Sequence, residues 1–181
     1  MRLGIGGPSC SGKTTLASQV AAGLAAARVS VSVHHTDDYL IPESIRPRRA
    51  PPHLGYFEDA VDYVGFFAEV RRAEVAGPDV VLGEGEFILR HEYLAIWDIK
   101  VRIEVTDELM IERGTERDAG FFGSQEKARS VYAEVLAPAN HFHRQRDNPG
   151  MGVDILLRSE RDGLHVSSPL RAGEGMDQGE V

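Results

Sequence analysis

Three features of this 181-residue chain predict a three-layer α/β/α fold, with helices on both faces of a mainly parallel sheet. Strand-like and helix-like segments alternate along it, the order that crossovers between parallel strands require. Several strand-like runs are continuously apolar, as strands covered on both faces are. The first of them passes through a glycine loop straight into a helix, which is a strand–loop–helix opening unit.

The elements follow in order. Residues 2–6 (RLGIG) are a short apolar run that breaks at Gly6-Gly7-Pro8, as a buried strand entering a glycine loop should. Residues 13–27 place Leu16, Val20, Leu24 and many alanines at helical spacing. Residues 29–35 (VSVSVHH) alternate as a second strand, ending at Thr36-Asp37-Asp38-Tyr39. The stretch 40–55, rich in proline and arginine, predicts a mobile loop near a ligand. A helix is expected over 58–76, closed by Gly77-Pro78. Residues 79–85 (DVVLGEG) and 98–105 (DIKVRIEV) are further strands, and Thr106 caps a helix with acids in its first turn. That helix runs into a glycine-interrupted stretch, Gly114 to Gly123, which predicts a lid over about 113–123. Helical spacing resumes over 124–146, where Pro138 bends or splits it. Two final strands, 152–159 and 164–168, turn at Arg161-Asp162-Gly163. Residues 169–181 lack core material and are expected to be disordered, leaving one domain over 1–168.

Composition excludes several function classes. The net charge of −8 argues against a nucleic-acid partner, whose phosphates attract basic surfaces. No run approaches the roughly 20 apolar residues of a spanning helix, and the opening MRLGIGG has no signal-peptide pattern, so a cytoplasmic protein without a membrane partner is expected. The single cysteine, Cys10, cannot form an internal disulfide. Seventeen of the 20 basic residues are arginines, the cation best shaped for two-pronged phosphate recognition; for most of them a compositional habit of the source genome is the preferred reading. Both a monomer and an oligomer remain open.

The chemistry is carried by Gly7-Pro8-Ser9-Cys10-Ser11-Gly12-Lys13-Thr14, a match to GxxxxGK[ST] between an apolar strand and a helix. Glycines let successive backbone N–H groups turn inward, and the helix N-terminus adds positive potential at the same point. This Walker A loop therefore predicts nucleotide binding by residues 7–14 and the following Thr15, with Lys13 on the terminal phosphates and Thr14 on Mg²⁺. Asp37 and Asp38 end the second strand. Asp37 is either the carboxylate that takes the acceptor hydroxyl's proton, with a further place beside the metal, or part of an Asp-rich turn. Glu84, at the end of an apolar strand, reads as a second Mg²⁺-associated acid or an exposed strand-end acid, and Glu86 is a weaker candidate for the same place. Arg113 and Arg117 share one helix face; they either close over phosphates or pair with Glu112, Glu116 or Asp118. The seven histidines form no metal-binding spacing and read as packing or surface residues.

Four stretches together, GGPSCSGKTTLA (6–17), HTDDYLIP (35–42), VVLGEGEFIL (80–89) and ERGTERD (112–118), resemble the uridine kinase and phosphoribulokinase-like family of P-loop kinases, which includes nicotinamide riboside kinases. The resemblance implies a five-stranded parallel core with a mobile arginine-bearing lid, ATP and Mg²⁺, and a nucleoside or similar sugar-like alcohol as the small-molecule acceptor. It makes Asp37 the catalytic carboxylate, Glu84 an Mg²⁺-associated acid, and Arg113 and Arg117 lid residues that touch phosphates, with Arg117 also at the substrate. The acid with which such kinases grip ribose hydroxyls aligns near Tyr56, with Glu58 and Asp59 close by, and Tyr39 takes the place of an aromatic residue after the paired aspartates, shifted in register. A regulator that binds nucleotide without phosphorylating a metabolite is the rival from another class; its GTPase form is weakened by the lack of an NKxD guanine-reading motif.

Overall fold

A computed structural model describes residues 1–167; the expected disordered tail, 169–181, lies outside the described residues. Six strands form one sheet: β1 (Arg2–Gly6), β2 (Val31–His35), β3 (Val80–Gly85), β4 (Ile99–Glu104), β5 (Ile155–Glu160) and β6 (Gly163–Val166), in the order β2-β3-β1-β4-β5-β6. The first five are mutually parallel, which gives the implied parallel core. β6 adds a sixth, antiparallel strand, because the tight turn at Arg161-Asp162 returns the chain directly along β5.

Side chains alternate across the sheet and divide its packing into two layers. Leu3 and Ile5 of β1, Val80 and Leu82 of β3, and Val101 and Ile103 of β4 face the helix α1 (Lys13–Ala26), meeting Leu16, Ala17, Val20 and Leu24. The opposite face is covered by α2 (Pro52–Asp59), α3 (Tyr63–Ala76) and α6 (Ala137–Asp147), through Phe57, Phe66, Val70, Ala139 and the indole of Trp97. Helices on both faces of a sheet with crossover connections are the predicted layered fold.

The segment 40–76 corrects two boundaries. The proline-rich stretch is shorter than expected, since α2 begins at Pro52, with proline in the first turn, where its missing N–H costs nothing. The single helix expected over 58–76 is two, broken at Ala60–Asp62. There Val61 bridges to Leu40, and the Asp62 side chain accepts a hydrogen bond from Gly65 N and starts α3 afresh.

The lid is also built differently. Helix α4 (Asp107–Phe122) runs unbroken through Gly114, capped by Thr106 accepting from Leu109 N and ended by Gly123 at φ 87°. Gly114 is no hinge: it is buried, and a methyl group there would fall within the ring of Tyr132. Gly114→Ala is therefore expected to destabilise the protein by about 1–2 kcal/mol, overpacking outweighing the gain in helix propensity, as a lowered urea midpoint would register. After α5 (Gln125–Val131) comes one π-helical turn, Tyr132–Leu136, immediately before Ala137-Pro138. The missing N–H of Pro138 accounts for that wider turn, and it leaves the helical rod continuous.

Beneath α6, the wholly buried His143 has its imidazole pushed down to about 2, first by burial and then by Arg102 and Arg90, although Asp147 lies 3.7 Å away. The unfolded chain takes up a proton on this histidine near its ordinary value while the folded chain does not. Stability contributed by neutral His143 is thus complete above about pH 6.5 and shrinks on acidification, by roughly 2 kcal/mol between pH 6.5 and 5. Thermal melts across that interval should show the fall, and His143→Leu should flatten it.

Candidate active site

The loop between β1 and α1 is the centre of the site. Cys10 at φ 56° and Gly12 at φ 97° turn the backbone back on itself, the left-handed positions a phosphate cradle needs. Lys13 is only 9% exposed, and its ammonium donates to Pro8 O at 2.9 Å, so it spans the loop's mouth. Thr14 and Thr15 are exposed at the first turn of α1. A loop turned at two left-handed residues, a helix N-terminus and a restrained ammonium form a site suited to a triphosphate, so these residues fit the nucleotide that the motif calls for.

The sheet order brings the acids to this loop. β3 lies directly beside β1, with Ile5 opposite Glu84, and β2 lies beside β3, with His35 opposite Glu84. Glu84 is 3% exposed and points to the α1 face, where its Oε1 accepts from the Thr14 hydroxyl at 2.8 Å and lies 2.8 Å from His35 Nδ1. A hydroxyl and a buried carboxylate in contact provide two hard oxygen ligands, a donor set that suits Mg²⁺. His35 was expected only to pack or lie on the surface, and the strand order that sets it against Glu84 is not visible in one sequence.

Asp37 and Asp38 sit on the 3₁₀ turn Thr36–Tyr39 that follows β2, and they face different ways. Asp37 is exposed and acts electrostatically on Tyr56 and Glu86. Asp38 acts instead on His34 and Tyr39. Among the described residues no cation or hydrogen-bond donor engages the exposed Asp37 carboxylate. Burial pushes the phenol of Tyr56 well up, which keeps it a neutral hydrogen-bonding group beside Asp37. Tyr39 packs edge-on against Phe66 at 5.6 Å between centroids, giving it a place in the α3 layer.

Glu58 and Asp59 are held elsewhere. Asp59 forms an ion pair with Arg49, which holds its carboxyl below the usual range, and Glu58 lies 3.3 Å from Arg146. Both residues are at the C-terminal end of α2, and each carboxylate has an arginine partner there.

The two lid arginines reach different partners from one face of α4. Arg113 donates to Cys10 O (3.2 Å), Ser159 Oγ (2.8 Å) and Glu160 O (2.6 Å), which ties α4 to the phosphate loop and to β5. Arg117 forks onto its neighbour Asp118 at 2.8 and 2.9 Å and also donates to Tyr132 Oη, which in turn donates to Asp118. The pairing of Arg117 with Asp118 was the alternative that the sequence left open. Tyr132 Oη lies 3.5 Å from Cys10 Sγ, so this network also ends on the loop.

No protein-family model matches the chain, and a search of curated proteins returns no match. Solved structures do. A possible uridine kinase from Bacillus stearothermophilus superposes with a TM-score of 0.65 at 20% identity, over 86% of this chain and 87% of that one. The fold is that of the P-loop kinases. A candidate fructose transport system kinase from Silicibacter sp. TM1040 gives a TM-score of 0.62 at 23% identity, over 77% of this chain and 82% of that one. Within this P-loop kinase fold the loop, Glu84 and Asp37 all stand at the carboxyl ends of neighbouring strands, where such sheets bind ligands. No helix among the described residues is long and apolar enough to cross a membrane.

Proposed function

We propose that this protein is an ATP- and Mg²⁺-dependent kinase that phosphorylates a hydroxyl group of a small molecule, a nucleoside first and nicotinamide riboside or another sugar-like alcohol next. One observation carries the reading: the hydroxyl of the loop's own Thr14 bonds to the buried strand-end Glu84, while a free carboxylate, Asp37, stands on the turn that follows the adjoining strand. A nucleotide-binding loop alone needs no such unpaired acid. The names of the two structural neighbours, a possible uridine kinase and a candidate fructose transport system kinase, are consistent with a phosphorylated alcohol.

Bound Mg·ATP would supply a transferable phosphoryl group whose charge is already partly neutralised. The loop amides and Lys13 would fix and neutralise the terminal phosphates, and Thr14 and Glu84 would hold the ion. Asp37 would accept the proton of the attacking hydroxyl as the new P–O bond forms and the bond from the γ-phosphorus to the β–γ bridging oxygen breaks, with ADP as the leaving group. Arg113 and Arg117 contribute positive charge from α4, and Arg117 must exchange Asp118 for a phosphate oxygen to do so.

The test is a panel of nucleosides, sugars and vitamins incubated with protein, ATP and Mg²⁺, with ADP release as readout. Release that depends on one class of alcohol is expected. Slow release that is the same with and without every metabolite would contradict the reading and favour a nucleotide-dependent regulator.

A further inference from the structure

The carboxylate assigned to the metal is held by a side chain that the proposed reaction leaves unused. β2 ends in two adjacent histidines, whose side chains leave opposite faces of the sheet. On one face the His34 ring lies 2.8 Å from Ser32 Oγ. His35 shares the other face, the α1 side, with Val31 and Val33. The parallel register of β2 and β3 sets it directly opposite Glu84, and its Nδ1 lies 2.8 Å from Glu84 Oε1. A carboxylate can only accept, so the ring nitrogen is the donor and the bond fixes a proton on Nδ1.

The Thr14 hydroxyl donates to the same Oε1 at 2.8 Å. Oε1 therefore takes two hydrogen bonds, while Oε2 receives none among the described residues and is the oxygen left to face an ion. Thr14, having given its proton to Glu84, keeps its lone pairs for the same ion. The strand ends that carry this chain of bonds are locked together one residue further on. Thr36 is 2% exposed and lies so close against Gly85 that a methyl group at 85 would fall on its side chain. The His35 side chain is 33% exposed, so it adds little to the core, and its hydrogen bond to Glu84 is the polar contact it makes. Bonds of this kind, one step removed from a metal, orient the group that ligates it.

We propose that His35 is a positioning residue for the metal ion: its Nδ1–H pins Oε1 of Glu84 and so sets both Oε2 and the Thr14 hydroxyl toward the ion. This rests on the kinase reading above and adds to the ion's site a residue of β2, two positions before Asp37.

The probe is Mn²⁺, followed by electron paramagnetic resonance as it is titrated into the folded protein carrying a non-hydrolysable ATP analogue, with affinity for the metal-free analogue measured alongside. His35→Ala should weaken Mn²⁺ binding by about 10–100-fold and leave affinity for the metal-free analogue within about twofold of the wild type. His35→Asn, whose amide N–H falls where Nδ1 stands, should recover most of the loss. His35→Gln, whose amide falls at the place of Nε2, should not. In a Glu84→Ala background His35→Ala should change Mn²⁺ affinity by less than about twofold, because the effect passes through Glu84. If His35→Ala unfolds, the contrast between the Asn and Gln variants decides alone. Wild-type Mn²⁺ affinity in a folded His35→Ala or His35→Gln, equal losses in the Asn and Gln variants, or an equal loss of metal-free analogue would each overturn the role of His35 and leave the kinase reading standing. If the wild-type protein binds nucleotide without regard to any divalent ion, both fall together.

Discussion

Asp37→Asn is expected to lower kcat for the acceptor-dependent reaction by about 10²–10⁴-fold, the usual contribution of a positioned acid or base, while the protein stays folded and binds nucleotide as before. The substitution keeps the shape of the side chain and removes only its ability to take a proton. Nothing structural opposes that outcome, because the exposed Asp37 carboxylate holds no partner among the described residues whose loss would be felt elsewhere. Asp38→Asn is the matched control. It stands on the same turn, yet acts on His34 and Tyr39 rather than on Tyr56 and Glu86, and should change kcat less than about threefold. A loss shared equally by the two variants would mean that the turn, and not the Asp37 carboxylate, is what matters.

Lys13→Ala should act on both nucleotide affinity and turnover. The Lys13 ammonium is nearly buried and held across the loop on Pro8 O, so its position is set before any ligand arrives. Preorganised charge of this kind stabilises the developing transition state without rearrangement, and removing one such donor typically lowers kcat about 10²–10³-fold. The affinity for Mg·ATP should fall alongside kcat, which separates this variant from Asp37→Asn, where affinity is retained. Lys13→Arg should rescue little, since a planar guanidinium does not fill the place of a compact ammonium.

Local signals in the sequence account for most of the fold and part of the site. The strand, loop and helix at 2–26 were legible because apolar run, glycine loop and helical spacing are all short-range patterns, and Thr14, Glu84 and Asp37 stand at ends of elements that those patterns define. What escaped depended on which strands are neighbours. His35 meets Glu84 only because β2 pairs with β3, and Glu58 and Asp59 meet arginines only because Arg146 of α6 and Arg49 of the preceding loop lie within reach. Gly114 looked like a hinge because glycine weakens an isolated helix; its real constraint is the ring of Tyr132, 18 positions further along the chain. Glu86 looked secondary to Glu84 for a similar reason, since only the folded chain reveals that its carboxylate is buried, with Oε2 lacking a hydrogen-bond partner among the described residues.

The central claim is that the backbone between Gly7 and Thr14 enfolds the terminal phosphates of a magnesium-bound nucleotide. Titration calorimetry of the folded protein with Mg²⁺ and a non-hydrolysable ATP analogue tests it directly. Saturable binding at one site per chain, weakened by chelating the Mg²⁺ and by Lys13→Ala, is the predicted result; an absence of heat with well-folded protein, or binding indifferent to both Mg²⁺ and Lys13, would contradict it.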